Sequence, residues 1–172
     1  MKAQRNHSEF QRVHPVRVMP PDSDVLRKRM NDAVAWRAFR LYRNRGLVSG
    51  HDAEDWRQAE AEVVRPLQCG SIVEDDTVCL TADISCFGPG TVEVWVEPHR
   101  ITLCGPCPAN ELEGPAETAT SIGPKNWIFR THGVTAELDP AEVIVRFNGP
   151  AMHIFVHRAR PIPQQAVAVH AA

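Results

Sequence analysis

A chain of 172 residues and 19.2 kDa fits one domain plus an appendage, since a typical domain holds about 150 residues. With 43% hydrophobic and 23% charged residues, its composition excludes a wholly disordered polymer, and the lack of an apolar run near the ~18 residues a bilayer span needs excludes a transmembrane helix. The net charge of −2 is unevenly divided: residues 1–66 hold 13 Lys/Arg and 9 Asp/Glu, or +4, whereas residues 67–172 hold 6 and 12, or −6, so the two halves are expected to do different work.

The opening MKAQRNHSEF has no apolar core of a secretory signal, so none is expected. Five cysteines are an odd number and too sparse for a disulfide scaffold, which points to thiols in a reducing cytoplasm.

Residues 1–21 carry Pro15, Pro20, Pro21 and scattered charge without periodicity, and are expected to form a flexible N-terminal tail. No proline follows until Pro66, a gap that favours helix because no backbone donor is missing inside it. A first helix should start at Asp22 or Ser23, whose side chains can accept from free first-turn amides. Its apolar stripe is Leu26, Met30, Val34, Ala38 and Leu41, at three- and four-residue spacing, and Gly46 can end it in the left-handed conformation. Asp52 should cap a second helix, with Asp55 three residues on, Trp56, Ala59 and Val63 as its apolar face and Pro66 as its stop. Residues 22–66 therefore form a helical hairpin, too small to be stable alone, and expected to dock on something.

From residue 71 the apolar period falls to two. Val78, Leu80, Ala82 and Ile84 alternate with Cys79, Thr81, Asp83 and Ser85, Val92, Val94 and Val96 with Glu93, Trp95 and Glu97, Val143, Val145 and Phe147 with Ile144, Arg146 and Asn148, and Met152, Ile154 and Val156 with His153, Phe155 and His157; Ile101 and Leu103 flank Thr102, and Trp127–Arg130 is a further strand. Six or seven short strands with one apolar face each need a second sheet to cover them, which predicts a mainly β chain folded as an antiparallel β-sandwich over residues 67–160.

Two resemblances sharpen this. Val78-Cys79-Leu80-Thr81-Ala82-Asp83-Ile84, Phe87, Val92-Glu93-Val94-Trp95-Val96-Glu97 and Ile101-Thr102-Leu103-Cys104-Gly105 follow, in order, an Ala-Asp-Leu-Pro-Gly run, a Val-x-Val-x-Val strand and a Leu-x-Ile-x-Gly strand. Phe129-Arg130 and Asp139 with Val143 and Val145 continue the series. Residues 72–160 thus resemble the alpha-crystallin domain of small heat-shock proteins. Ser85-Cys86 stands in place of Pro-Gly, His132-Gly133-Val134 in place of the Phe-x-Leu-Pro turn, and Gly149-Pro150-Ala151-Met152 in place of Gly-Val-Leu, so the chain resembles a divergent member. Residues 24–65 resemble a short bacterial helical domain of unknown function, through Gly50-His51-Asp52, Asp55-Trp56 and Gln58-Ala59-Glu60.

The first resemblance implies an immunoglobulin-like sandwich and an ATP-independent holdase that binds unfolding client proteins and assembles with itself, as a homodimer or larger homo-oligomer. It also implies a groove between residues 91–97 and 142–148, with Val94, Val96, Val143 and Val145 as its apolar lining. A C-terminal anchor would fill that groove on a neighbouring subunit. In the extension at 161–172, Val167 and Val169 have the alternation such an anchor requires; the alternative is a frayed Ala/Val tail. Residues 117–122 could carry a swapped strand or lie in an exposed acidic loop. A non-chaperone adaptor using the sandwich and hairpin is the competing function.

Enzymatic chemistry is not expected. Cys104-Gly105-Pro106-Cys107 copies the thioredoxin dithiol spacing but closes a strand, with Pro108 and no helix behind it, whereas that chemistry needs a thiol at a helix start. His153 and His157 sit four apart on a strand, too far to share a zinc ion, and Cys104/Cys107 supplies only one close pair where zinc normally needs two. No Gly-rich phosphate loop is present, so no cofactor or metal is expected. The basic face of Arg27-Lys28-Arg29, Arg37, Arg40, Arg43 and Arg45 is expected to be solvated, with neither nucleic acid nor membrane as partner.

Overall fold

The alternating segments become two stacked sheets in the computed structural model, which describes residues 15–108, 126–148 and 151–160. In chain order the elements are β1 (Val16–Val18), α1 (Ser23–Asn44), α2 (Asp52–Val63), β2 (Val64–Pro66), β3 (Cys69–Glu74), β4 (Thr77–Asp83), β5 (Val92–Glu97), β6 (Arg100–Pro106), β7 (Trp127–Gly133), β8 (Leu138–Asn148) and β9 (Ala151–Arg158). One sheet has the order β3-β4-β9-β8 and is antiparallel throughout. The other has the order β1-β5-β6-β7-β2; β5, β6 and β7 are antiparallel, while β1 and β2 join the two edges in parallel. The chain is an immunoglobulin-like β-sandwich with an N-terminal two-helix hairpin, to which the parallel edge strands β1 and β2 add beyond the sequence expectation.

The inward phase of each strand fills the space between the sheets. Val78, Leu80, Val94, Ile101, Leu103 and Ile154 are all fully buried there. Leu138 also enters this core at the start of β8, before a register shift between Leu138 and Val143, where Pro140 withholds the amide that a regular ladder would use. Gly105 on β6 leaves room for the ring of Phe87 from the β4–β5 connection: a Cβ there would lie 3.1 Å from it.

A second core lies on the outer face of the β5-β6-β7 sheet. Leu26, Ala33 and Val34 of α1 and Ala59 and Val63 of α2 pack on Trp95, Cys104 and Phe129, giving three layers: helices, sheet, sheet. The helix α1 begins as its sequence dictates, with Asp22 Oδ1 accepting from the amides of Asp24 and Val25 at 3.2 and 3.0 Å. Buried Asp55 of α2 meets the Arg45 guanidinium through both carboxylate oxygens, and Arg37 pairs with Glu62, so basic and acidic faces close on each other.

Several expectations need correction. Residues 15–21 are not a free tail, because Val16–Val18 add to the edge of β5. His51 precedes α2 without a side-chain cap and Asp52 is its first residue. Trp56 does not face the sandwich but is 41% exposed, because the inward position one residue earlier goes to Asp55. The helix ends at Val63, not Pro66, and Val64–Pro66 instead pair with Phe129–Thr131 of β7, so the hairpin segment 22–66 reaches into the sheet.

Candidate functional site

The alternation that built the core also decides which faces remain free. On β5 the outward phase is Glu93, Trp95 and Glu97, and all three are buried beneath α1. Glu93 accepts from Arg29 Nη1 at 2.7 Å and from Trp95 Nε1 at 3.2 Å, and the Cys104 thiol donates to it at 3.8 Å. Glu97 accepts from Ser23 Oγ at 2.7 Å and from Arg100 Nε and Nη2 at 2.7 and 3.0 Å. The hydrogen bonds from Arg100 hold the Glu97 carboxyl below the usual carboxylate range, although burial opposes them. The first sheet therefore offers no open face.

The second sheet does. Among the described residues no element covers the outer face of β3-β4-β9-β8, and strand register places Ile72 beside Cys79, Cys79 beside Phe155, and Phe155 beside Ile144. This is one apolar row across all four strands, a same-face neighbour relation that holds each pair of side chains in contact range. Ile72 is 59% and Ile144 48% exposed. The Arg146 guanidinium lies 5.5 Å from the centre of the Phe155 ring. Rows of polar residues flank it: Thr81 Oγ1 is 3.0 Å from His153 Nδ1, Thr77 Oγ1 is 3.4 Å from His157 Nδ1, and Glu142 lies 3.7 Å from His157. An apolar stripe with a hydrogen-bonding rim suits an extended polypeptide. The sequence carries the signal, since Ile72, Ile144 and Phe155 are large apolar residues on the outward phase of their strands.

The groove residues are placed differently from the expectation. Val94 and Val96 are 0% and 2% exposed in the inter-sheet core, where Val143 and Val145 pack against the same cluster from β8 with partial exposure. The four are brought together, but as core, not as the lining of an open groove, and the free edge of β5 carries β1. Val167, Val169 and the segment 117–122 lie outside the described residues.

The dithiol spacing does not assemble a redox pair. Cys104 faces the hairpin side and is buried, while Cys107 packs against the inter-sheet core; adjacent phases of a strand send them to opposite faces. Burial first, and the Glu93 carboxylate second, push the Cys104 thiol far above its ordinary value, the reverse of an activated nucleophile. Among the described residues no group of three or more His, Cys, Asp or Glu could hold a metal ion, and no helix is long and apolar enough to cross a membrane.

Comparisons with known proteins give the following. The family model described as "Protein of unknown function (DUF2934)" matches residues 31–64, spanning most of α1, the interhelical loop and α2. No curated protein sequence matches the chain. Among solved structures, the chain is similar to heat shock protein 16.0 from Schizosaccharomyces pombe, at 14% identity and a TM-score of 0.39, over 60% of this chain and 98% of that one. It is also similar to a small heat-shock protein from Xylella fastidiosa, at 15% identity and a TM-score of 0.39, over 59% and 94%, and to hspA from Xanthomonas axonopodis, at 13% and 0.39, over 55% and 93%. The sandwich itself is defined by its strand order and register, independently of these similarities.

Proposed function

We propose that this protein is an ATP-independent holdase of the small heat-shock type, which covers apolar segments of unfolding proteins and assembles with copies of itself. The observation that carries this is the uncovered row Ile72–Cys79–Phe155–Ile144, on a sheet whose two edges, β3 and β8, end without a neighbouring strand among the described residues. Support also comes from the ordered resemblance of residues 72–160. No bond is made or broken: a client segment laid across the row removes apolar surface from water at about 25 cal/mol per Å², so roughly 300 Å² of contact is worth about 7.5 kcal/mol before ordering costs. An open strand edge adds backbone hydrogen bonds that any sequence can make, which suits binding without sequence preference. Self-assembly would use Val167 and Val169 as an anchor on a second copy. Heating an aggregation-prone model protein with an equimolar amount of the chain, without nucleotide, should suppress light scattering; undiminished scattering would retract the proposal.

A second function is favoured by one observation. The α1–α2 loop exposes Leu47 and Val48, and Leu47 is held at φ +64, a left-handed conformation that costs a bulky residue energy. Two exposed apolar residues at the tip of the hairpin suit an adaptor with one specific partner. Native mass separates the two: a large multi-subunit assembly supports the holdase, whereas a monomer or dimer with one tight partner supports the adaptor.

A further inference from the structure

The outer face of β3-β4-β9-β8 carries a charge polarity across its apolar row. One flanking line holds Glu74 and His157, with Glu142 3.7 Å from that histidine. The other holds His153 and Arg146, which are register partners. Among the described residues Glu74 and Arg146 make no ion pair within their own chain; Arg146 rests instead on the Phe155 ring. The Glu142 side chain is 66% exposed. Asp83 stands one line further out, where its Oδ1 accepts from the Ser85 amide at 2.8 Å. Acid therefore borders the row Ile72–Cys79–Phe155–Ile144 on one side and base on the other.

Such a face is complementary to itself in one orientation. Two sheets stacked face to face lie about 10 Å apart, and a closed pair is related by a two-fold axis in the plane between them. With that axis along the apolar row, each row residue meets its own copy and the strands of the two copies run in opposite directions. The acidic flank of one copy then lies on the basic flank of the other, with Glu142 over Arg146 twice. With the axis along the strands, Glu142 meets Glu74 and Arg146 meets Gly70, so like charges face each other, which an interface penalises. We propose that this protein forms a face-to-face dimer on the outer face of β3-β4-β9-β8, with its two-fold axis along the apolar row and reciprocal Glu142–Arg146 ion pairs. This rests on the same reading of the row as an uncovered binding face, and adds a second copy of this chain as its partner. Four strands about 4.8 Å apart, each about as long as the seven residues of β4 at about 3.3 Å per residue, give a footprint of roughly 440 Å² per copy. That is smaller than the ~800 Å² per partner of a standard stable interface. The dimer is therefore reversible and leaves the row accessible to a client.

Cys79 reports on this geometry, because it is partly exposed within the row and the axis sets it opposite Cys79 of the second copy. The full chain treated with a short bismaleimide should give a covalent dimer on a denaturing gel, with Cys79 joined to Cys79 by tandem mass spectrometry, and Cys79→Ser should lose that product. Glu142→Arg and Arg146→Glu should each cut the Cys79 link about tenfold or more. Mixing these two variants should restore it, because each then carries the charges that the other needs. A parent without the Cys79 link, a link that neither reversal weakens, or no recovery on mixing folded variants would overturn the inference. Should a reversal fail to fold, the milder Arg146→Lys decides: a carbodiimide should join position 146 of one copy to Glu142 of the other, and absence of that product would overturn the inference. Protection of a heated client without the Cys79 link removes the dimer and leaves the holdase, whereas the link without protection removes the holdase and leaves the dimer.

Discussion

Glu97 sits at the end of β5 with its carboxylate held by a two-pronged Arg100 contact and by the Ser23 hydroxyl at the start of α1. These donors bind the ionised form, and Arg100 comes first among the causes that lower its proton affinity in the folded chain. A carboxyl with a folded value below its unfolded one stabilises the fold above the ordinary value of 4.5, and this contribution is lost as pH falls through the lowered folded value. Glu97→Gln should therefore be less stable than the parent at pH 7 and lose less further stability between about pH 5 and pH 3. Denaturant titrations across that window check it; parallel curves would contradict the assigned role. None of this was legible from Glu97 alone, which read as the polar phase of a strand, because the donors come from a helix 74 residues away in sequence and from the next turn.

At the scale of elements, the hairpin and the sandwich are joined by a contact that is partly ionic. Arg29 of α1 reaches Glu93 of β5, which also accepts a hydrogen bond from the Trp95 indole N–H in a buried setting. Glu93 is buried but the Arg29 side chain is 31% exposed, so removing the carboxylate leaves a guanidinium that water can reach and a buried indole N–H without its acceptor, at a cost of about 1–2 kcal/mol. Glu93→Ala should lower the denaturation midpoint by a corresponding amount with an unchanged slope, and should blue-shift or broaden the Trp95 emission as its indole loses its acceptor. An unchanged midpoint would mean that the apolar contacts of Leu26, Val34 and Phe129 hold the hairpin by themselves.

The elements also differ in how far they could be read. The helix α1 was legible to within a residue or two at its ends, because its cap, stripe and proline gap agree. The strands β4, β5 and β9 were legible because their alternation is long. By contrast, β1 and β2 have three residues each and no period of their own; only the partner strand makes them strands. The apolar character of Trp56 points inward in the sequence, but the buried ion pair of Asp55 with Arg45 sets the rotation of α2 and turns Trp56 outward.

Over the whole molecule, the charge division of the sequence has a structural outcome. Arg29, Arg37 and Arg45 of the basic half turn to Glu93, Glu62 and Asp55, and Arg40 stacks at 4.8 Å on Trp36, so much of the basic face is spent within the fold. The layers explain the rest: the hairpin closes one sheet face and, among the described residues, nothing covers the other, which carries the apolar row. The sandwich was legible from period and order. The location of the open face was not, because it depends on which sheet the hairpin covers, a choice that no local pattern encodes.

The most direct measurement places two double variants side by side in the heated-client light-scattering assay. Ile72→Asp with Ile144→Asp puts charge into the uncovered row, and Leu47→Ser with Val48→Ser removes the apolar tip of the hairpin; both pairs are exposed, so both chains should fold. The account predicts that the sheet variant loses most of its protection and the loop variant keeps it. Full protection by the sheet variant, with loss in the loop variant, would contradict the account and move client binding to the hairpin.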